Sequence, residues 1–419
     1  MARTVYSHHH LRRQARVRLN HVLRREDPHQ VDGYEAMAQE LPRSFDAYND
    51  VRKANFLKVK EYKQSGGRIA GYLCSYAPLE VIDAAGVAAV GLCGTSDETV
   101  SAAETVLPRG LCPLIKSTFG FAITEKCPYT YFSDLIVGET TCDGKKKMFE
   151  LLNDTKPTYV LRLPNGHDRP YEFDAWYEEV RLFKEHLESL FDVRITDDKL
   201  RDAVRVRNRL RQARLDLAAL QASRPAMARG TEIMSTLLSG TFFFDPIEFA
   251  QKIESQVAEY RKAYEDGARP VAPSAKRILF TGCPSGGLTK KVGETVESNG
   301  GSIVCLDDCT GERTNRMMID PEAPDILRAI SDRYLRINCS VMTPNTGRFE
   351  DLREMVEKYE VDGVIDNVLT GCHTFDVEAS LVERVCNEMG VPYLKLNTDY
   401  STGDTGQLST RISAFIEML

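Results

Sequence analysis

The sequence predicts an α/β fold with two doubly wound (Rossmann/flavodoxin-like) parallel-sheet domains and a helical insertion between them. Three observations predict it. From residue 66 to 170, and again from 270 to 419, short apolar runs alternate with amphipathic stretches and are punctuated by Gly, Pro and Asp. That alternation is the pattern of βαβ units and hence of a parallel sheet. Between 171 and 269 the strand signals vanish and apolar residues (Trp176, Val180, Phe183, Leu187, Leu190) recur at helical spacing. Gly267 to Ser274, with prolines at 270 and 273, then reads as a linker.

Bulk composition excludes several classes. A chain of 419 residues suits two or three domains. With 42% hydrophobic and 27% charged residues it resembles an ordinary globular protein, and a net charge of −7 gives no global drive toward nucleic acid. No apolar run reaches the ~20 residues of a membrane span. Seven arginines and no acid fall in the first 25 residues, without the apolar core of a secretory signal. Residues 1–65 are therefore read as a polar helical arm or docking tail rather than a transit peptide, His8-His9-His10 as exposed tail, and the protein as cytoplasmic.

The elements follow in order. Asn55–Lys63 is an amphipathic stretch stopping at Gly66-Gly67. Arg68–Cys74 and Val87–Cys93 are strands flanking a helix at Ala77–Gly86, with Pro near its start and Gly at its end. A helix follows Pro113. The apolar run Tyr131–Val137 reads as a buried strand, and Lys147–Leu152 as the opening of a helix. Pro157–Pro164 is a further strand. Thr196-Asp197-Asp198-Lys199 starts a long Arg-rich helix whose arginines read as a solvated face, because acids and aliphatics interleave with them. This insertion links the two domains and offers a dimerisation surface. In the last domain Arg277–Phe280, Ser302–Asp308, Val361–Val368 and Tyr393–Leu396 read as strands. Leu288–Asn299, Asp351–Tyr359 and Phe375–Met389 read as helices, with a terminal helix after them.

Eleven cysteines in a large chain without a signal peptide argue for reduced thiols rather than a disulfide framework. Cys74, Cys142, Cys309 and Cys372 lie between a strand end and a helix start, where backbone N–H groups favour negative charge. Cys112 precedes Pro113, and Cys339 lies in a loop after a helix. In open α/β sheets ligands bind outside the carboxyl ends of the strands, so loops of two such domains can face one cleft. Six thiols, three per domain, would then line it. Cys112 to Cys142 and Cys309 to Cys339 are both gaps of 30 residues.

The short knuckles of a zinc site and ferredoxin-type spacing are both absent. Widely spaced single cysteines suit a large iron–sulfur cluster held between domains, with core or redox cysteines as the alternative. Cys93, Cys305 and Cys386 read as core packing; Cys127 and Cys283 stay open. Gly282-Cys283-Pro284-Ser285-Gly286-Gly287 lacks the G-x-x-x-x-G-K-[ST] pattern and reads as a tight turn serving close packing. Lys145-Lys146-Lys147 opposes the dipole at a helix start, which points to a role beyond helix stability, against a solvated face.

Gly71-Tyr72-Leu73-Cys74-Ser75-Tyr76-Ala77-Pro78-Leu79-Glu80, Leu111-Cys112-Pro113-Leu114-Ile115-Lys116-Ser117, Phe132-Ser133-Asp134 and Gly138-Glu139-Thr140-Thr141-Cys142-Asp143-Gly144-Lys145 resemble the 2-hydroxyacyl-CoA dehydratase component family. Asp307-Asp308-Cys309-x-Gly311-x-Arg313 and Asp362 to Cys372 match its second half. The resemblance covers roughly residues 60–419. Dehydratase subunits form heterodimers and hold a [4Fe-4S] cubane through three cysteines, which correspond to Cys112, Cys142 and Cys372. Double-cubane cluster proteins are similar homodimers that use six cysteines for an [8Fe-9S] cluster. The extra Cys74, Cys309 and Cys339 make this sequence most similar to that branch.

The resemblance implies a reductase component that takes low-potential electrons from an ATP-hydrolysing iron–sulfur activator and reduces small molecules, with ATP only on the partner. Its alternatives are a dehydratase subunit and a non-catalytic cluster carrier. By position, His373 and Glu139 are candidate proton donors. Neither nucleic acid nor membrane is an expected partner.

Overall fold

The computed structural model describes residues 40–419, so His8–His10 and most of the Arg-rich arm lie outside the described residues. The described residues divide into two compact units, 40–66 and 67–419. In the first, a helix at Asp50–Gln64 is capped by Asn49, whose Oδ1 accepts the Arg52 N–H at 2.9 Å. The rings of Phe45, Tyr48 and Phe56 pack mutually with centroids 5.4–6.4 Å apart.

The second unit has two four-stranded parallel sheets, as the α/β pattern predicts. The first comprises β1 (Ile69–Tyr72), β2 (Ala88–Gly91), β3 (Leu135–Glu139) and β4 (Thr158–Leu161), in the order β2-β1-β3-β4. The second comprises β5 (Lys276–Gly282), β6 (Gly301–Asp307), β7 (Gly363–Leu369) and β8 (Tyr393–Thr398), in the order β6-β5-β7-β8. The two orders are the same. Each sheet therefore has its switch point between equivalent strands, β1 and β3 in one and β5 and β7 in the other, and that is where α/β sheets bind ligands. The central strands β3 and β7, and the edge strand β6, are buried along their whole length, which explains their continuous apolar runs.

One expected strand is divided. Tyr131–Val137 reads as one apolar run, but its first part belongs to a short helix, Pro128–Phe132, and only Leu135 onward is β3. Pro128 is fixed for a first helical turn, and the Cys127 thiol accepts the Thr130 N–H at 3.5 Å as its cap. The following helix also starts earlier than expected, at Asp143.

Four long helices fill the intervening segment: Pro170–Phe191, Asp197–Ala219, Gly230–Ser239 and Pro246–Glu265. Trp176, Val180, Phe183 and Leu187 are fully buried; Phe191, not Leu190, continues their stripe. Thr196 caps the Arg-rich helix.

Its arginines are not all a solvated face. Arg207 binds Asp83 through two bonds of 2.5 and 2.7 Å, and Arg211 binds Glu80, with both pairs buried or nearly so. Tyr334, from the second half, also donates to Glu80, at 2.8 Å. One buried carboxylate thus ties the first sheet's layer, the helical segment and the second half. Burial pushes the Glu80 carboxyl up, but Arg211 overcomes it and holds the group below its usual range. Among the described residues no helix is long and apolar enough to cross a membrane.

The Gly286-Gly287 turn serves close packing, as its sequence suggests. A Cβ on Gly287 would lie 1.9 Å from the carbonyl oxygen of Thr95, which follows β2. The strand ends of the two sheets are thus held face to face at backbone contact.

Candidate iron–sulfur crevice

Between those strand ends lies a crevice of about 700 Å³, within the ~300–1,000 Å³ usual for ligand sites. All six predicted cysteines line it: Cys74, Cys112, Cys142, Cys309, Cys339 and Cys372. Two more join them, Cys93 and Cys283.

Local structure explains the placement. Cys112, Cys142 and Cys372 are the N-cap residues of the helices Pro113–Ile123, Asp143–Leu152 and His373–Met389. Each thiol therefore stands at the positive end of a helix dipole. Gly371, at φ +80°, allows two of these caps to meet. A Cβ there would be 2.6 Å from the Gly110 carbonyl oxygen and 3.3 Å from the Cys112 nitrogen. The Cys309 loop is pinned by Asp308, whose carboxylate accepts the N–H groups of Thr310 (2.8 Å), Gly311 (3.0 Å) and Ser285 (3.0 Å). Behind it Arg313 binds Asp307 at 3.0–3.1 Å, and Arg348 binds the same carboxylate at 3.1 Å. Burial raises the Asp307 carboxyl, but these two guanidinium groups hold it far below its ordinary value. Tyr76 links the Cys74 turn to the other half by donating to the Ile337 carbonyl at 2.6 Å, two residues before Cys339.

The thiols fall into two groups, and each draws on both sheets. In one, Cys112 and Cys283 lie near enough to Cys372 to act on its thiol, with Cys142 beside it. That proximity, of Cys112 first and then Cys283, pulls the Cys372 thiol down to about 3, while Cys112 and Cys283 are raised. In the other group Cys74 lies beside Cys309 and Cys339. Burial pushes the Cys74 thiol up to about 12, opposed chiefly by Lys145.

Lys145 separates from its neighbours. Lys146 and Lys147 face solvent and pair with Asp143 and Glu150. Lys145 is buried in the crevice wall, and its ammonium donates to the Leu73 carbonyl. Burial disfavours its charge, yet Cys74 and Glu139 hold the group above its ordinary value.

Glu139 is fully buried and is not on the crevice wall. It lies one layer behind, 3.9 Å from Lys145, and neither carboxylate oxygen has a hydrogen-bond partner among the described residues. Burial raises it to about 8. His373 is exposed at the crevice rim, the first residue of its helix.

One reading of the cysteines is corrected. Cys93 is not a core residue inside a strand. It lies past the end of β2 in the crevice, and its thiol donates to the Leu73 carbonyl at 3.4 Å. Cys283, left open by the sequence, is buried, and its sulfur accepts the Leu369 N–H at 3.3 Å. The missed signal was the repeated strand order. Cys93 and Cys309 follow equivalent strands, as do Cys74 and Cys283, and Cys142 and Cys372. The equal 30-residue gaps, by contrast, have no structural counterpart, since Cys142 follows a strand and Cys339 follows a helix. Cys305 and Cys386 pack in the apolar core, as expected.

The residues fit an iron–sulfur group. Thiols at three helix N-termini, Cys112 buried and Cys142 and Cys372 half-buried, with a buried ammonium as counter-charge, suit thiolate ligation of a multi-iron cluster. Among the described residues no three His, Cys, Asp or Glu side chains converge as a single metal ion requires. Cluster thiolates bind separate irons and need no such convergence.

Comparison with known proteins agrees. Residues 74–419 match the family described as 2-hydroxyglutaryl-CoA dehydratase, D-component. The Escherichia coli (strain K12) protein named "Putative dehydratase subunit YjiM" is 43% identical over 385 residues, 92% of this chain and 100% of that protein. The beta subunit of (R)-2-hydroxyglutaryl-CoA dehydratase from Acidaminococcus fermentans is 24% identical over 379 residues, 86% of this chain and 95% of its own. The beta subunit of (R)-phenyllactyl-CoA dehydratase from Clostridium sporogenes is 24% identical over 365 residues, 86% and 94% of the two chains. The chain therefore belongs to the 2-hydroxyglutaryl-CoA dehydratase D-component family.

Proposed function

We propose that this protein is a subunit of an activator-dependent iron–sulfur dehydratase or reductase acting on small acyl thioesters. The observation that carries the reading is the convergence of Cys112, Cys142 and Cys372, each the N-cap of a helix, on one crevice. Its relatives' names favour a dehydratase subunit over the stand-alone reductase expected from the sequence. Cys112, Cys142 and Cys372 would hold the cluster, which supplies one-electron chemistry at an iron with an open position. Low-potential electrons would come from an ATP-hydrolysing partner, and the reduced thiols suit the cytoplasm.

In that reading Lys145 offsets the negative charge of the thiolates. Glu139 holds a proton behind Lys145, and His373 exchanges protons with solvent at the rim. The apolar wall of the crevice, including Leu111, Phe242, Val341 and Phe375, excludes water from the acyl part of a substrate.

A second reading is a homodimeric double-cubane protein with an [8Fe-9S] cluster. The second thiol group, Cys74 with Cys309 and Cys339, favours it, because a single cubane leaves those three without a task. Anaerobic reconstitution followed by iron and sulfide analysis and EPR separates the two. About four irons per chain, with turnover of a 2-hydroxyacyl-CoA only when a second subunit is added, supports the dehydratase subunit. About eight irons and nine sulfides per chain in a homodimer supports the second reading. A protein that binds iron but turns over nothing with activator and ATP is a cluster carrier.

A further inference from the structure

Cys283 belongs to neither cysteine set that the family resemblance implies, yet the fold sets it among their members on the crevice wall. Its place is the first observation. It follows β5 as Cys74 follows β1, and β5 adjoins β7 at the second sheet's switch point, as β1 adjoins β3 in the first. Contact is the second. The Cys283 N–H donates to the Asn367 carbonyl at 2.8 Å, and the Cys283 sulfur accepts the Leu369 N–H at 3.3 Å. Leu369 opens the turn that carries Cys372, whose own N–H donates to the Leu369 carbonyl at 2.9 Å. The Cys283 sulfur thus lies at the base of the Cys372 turn, and that turn abuts Cys112 through Gly371. From the other side Ser285 pins the Cys283 turn, its N–H and O–H both donating to Asp308, at 3.0 and 2.6 Å. The third observation separates Cys283 from Cys93, the other crevice thiol outside the predicted six. The Cys93 thiol donates to the Leu73 carbonyl and must keep its proton to do so. The Cys283 sulfur accepts, and a hydrogen bond received favours the thiolate.

We propose that Cys283 is a further ligand of the iron–sulfur group that Cys112, Cys142 and Cys372 hold, bound to its fourth iron while no substrate is present. The inference rests on the iron–sulfur reading above and adds one member to its ligand set. Ligation exchanges the S–H bond of Cys283 for an S–Fe bond, and the proton leaves to solvent. The Leu369 N–H then reaches a metal-bound sulfur, the kind of outer contact that orients a ligand and tunes its metal. The iron gains its open position when the S–Fe bond breaks and the sulfur takes a proton back. Cys93 stays outside the set, with its proton on the Leu73 carbonyl.

The test replaces Cys283 by selenocysteine in the full-length chain, reconstitutes the protein anaerobically without substrate and records X-ray absorption at the selenium edge. Selenium keeps the shape of the side chain and reports only its own neighbours. An iron in the first shell of the selenium at 283 supports the inference; the same exchange at Cys93 should show carbon alone. Selenium at 283 that sees no iron, in a protein fully loaded with it, overturns the inference. Cys283→Ala gives a second readout, by Mössbauer spectroscopy. About a quarter of the iron, the one site of a cubane that has lost its thiolate, should shift away from the rest. A spectrum identical to that of the wild type overturns the inference as well. If Cys283→Ala fails to fold or load, the selenium measurement decides alone. A wild-type protein that binds no iron would instead overturn the reading on which the inference stands.

Discussion

The Lys145 ammonium lies 3.9 Å from the Glu139 carboxylate, both of them buried, and the same ammonium faces the Cys74 thiol. This cation is the crevice wall's counter-charge. Lys145→Met should lower the iron retained per chain after reconstitution by more than half, whereas Lys145→Arg should retain most of it. Glu139→Gln should leave iron unchanged and slow turnover by ~10²- to 10⁴-fold, the usual contribution of a positioned acid or base. Iron loss in Glu139→Gln would instead make it a structural support for Lys145.

Cys372 and Cys386 share a helix and differ in setting. Cys372→Ser should lose much of the iron at little change in melting temperature of the metal-free chain. Cys386→Ser should keep full iron and cost about 1–3 kcal/mol of stability, because it places an unpartnered hydroxyl in the apolar core. Iron analysis and thermal denaturation of the pair check both halves of the claim.

Gly371 is where the Cys372 turn touches the Cys112 turn. Gly371→Ala forces a Cβ to 2.6 Å from a backbone oxygen at φ +80°. Strain of ~1–3 kcal/mol should separate the two caps and reduce iron loading. Gly403→Ala, where a Cβ meets nothing nearer than 3.8 Å, should change neither iron nor stability.

Glu80 predicts a pH dependence. Its folded carboxyl is held below its ordinary value of 4.5. The stability it contributes is therefore full above pH 4.5 and is lost as pH falls through the folded value. Glu80→Gln leaves Arg211 buried without its carboxylate and should cost about 3–5 kcal/mol at neutral pH. The gap between wild type and variant should narrow as the pH is taken below 4.5, measured by urea denaturation. A gap that stays constant across that range would refute the ion-pair account.

Much of this arrangement is legible in the chain. Strand–turn–helix grammar locates all eight strands, with the start of one misplaced, and its strand ends place Cys74, Cys142, Cys309 and Cys372 at one edge. The Tyr131–Val137 run misled because periodicity cannot separate a short buried helix from a strand; Pro128 and the Cys127 cap decide it. Cys93 was missed because an apolar run does not announce where its strand ends. The Arg207–Asp83 pair was illegible for another reason: its members lie 124 residues apart, and only folding brings them near. Glu139's depth behind Lys145 is likewise a matter of layers, which a linear pattern does not carry.

Each thiol group in the crevice takes members from both sheets: Cys112 and Cys142 with Cys283 and Cys372, and Cys74 with Cys309 and Cys339. Any inorganic core bound to all members of a group is then a covalent strut between the halves. A chain cut in the linker after Glu265 would be two polypeptides but still one mechanical body, riveted by that strut in addition to the buried Glu80–Tyr334 and Tyr76–Ile337 bonds.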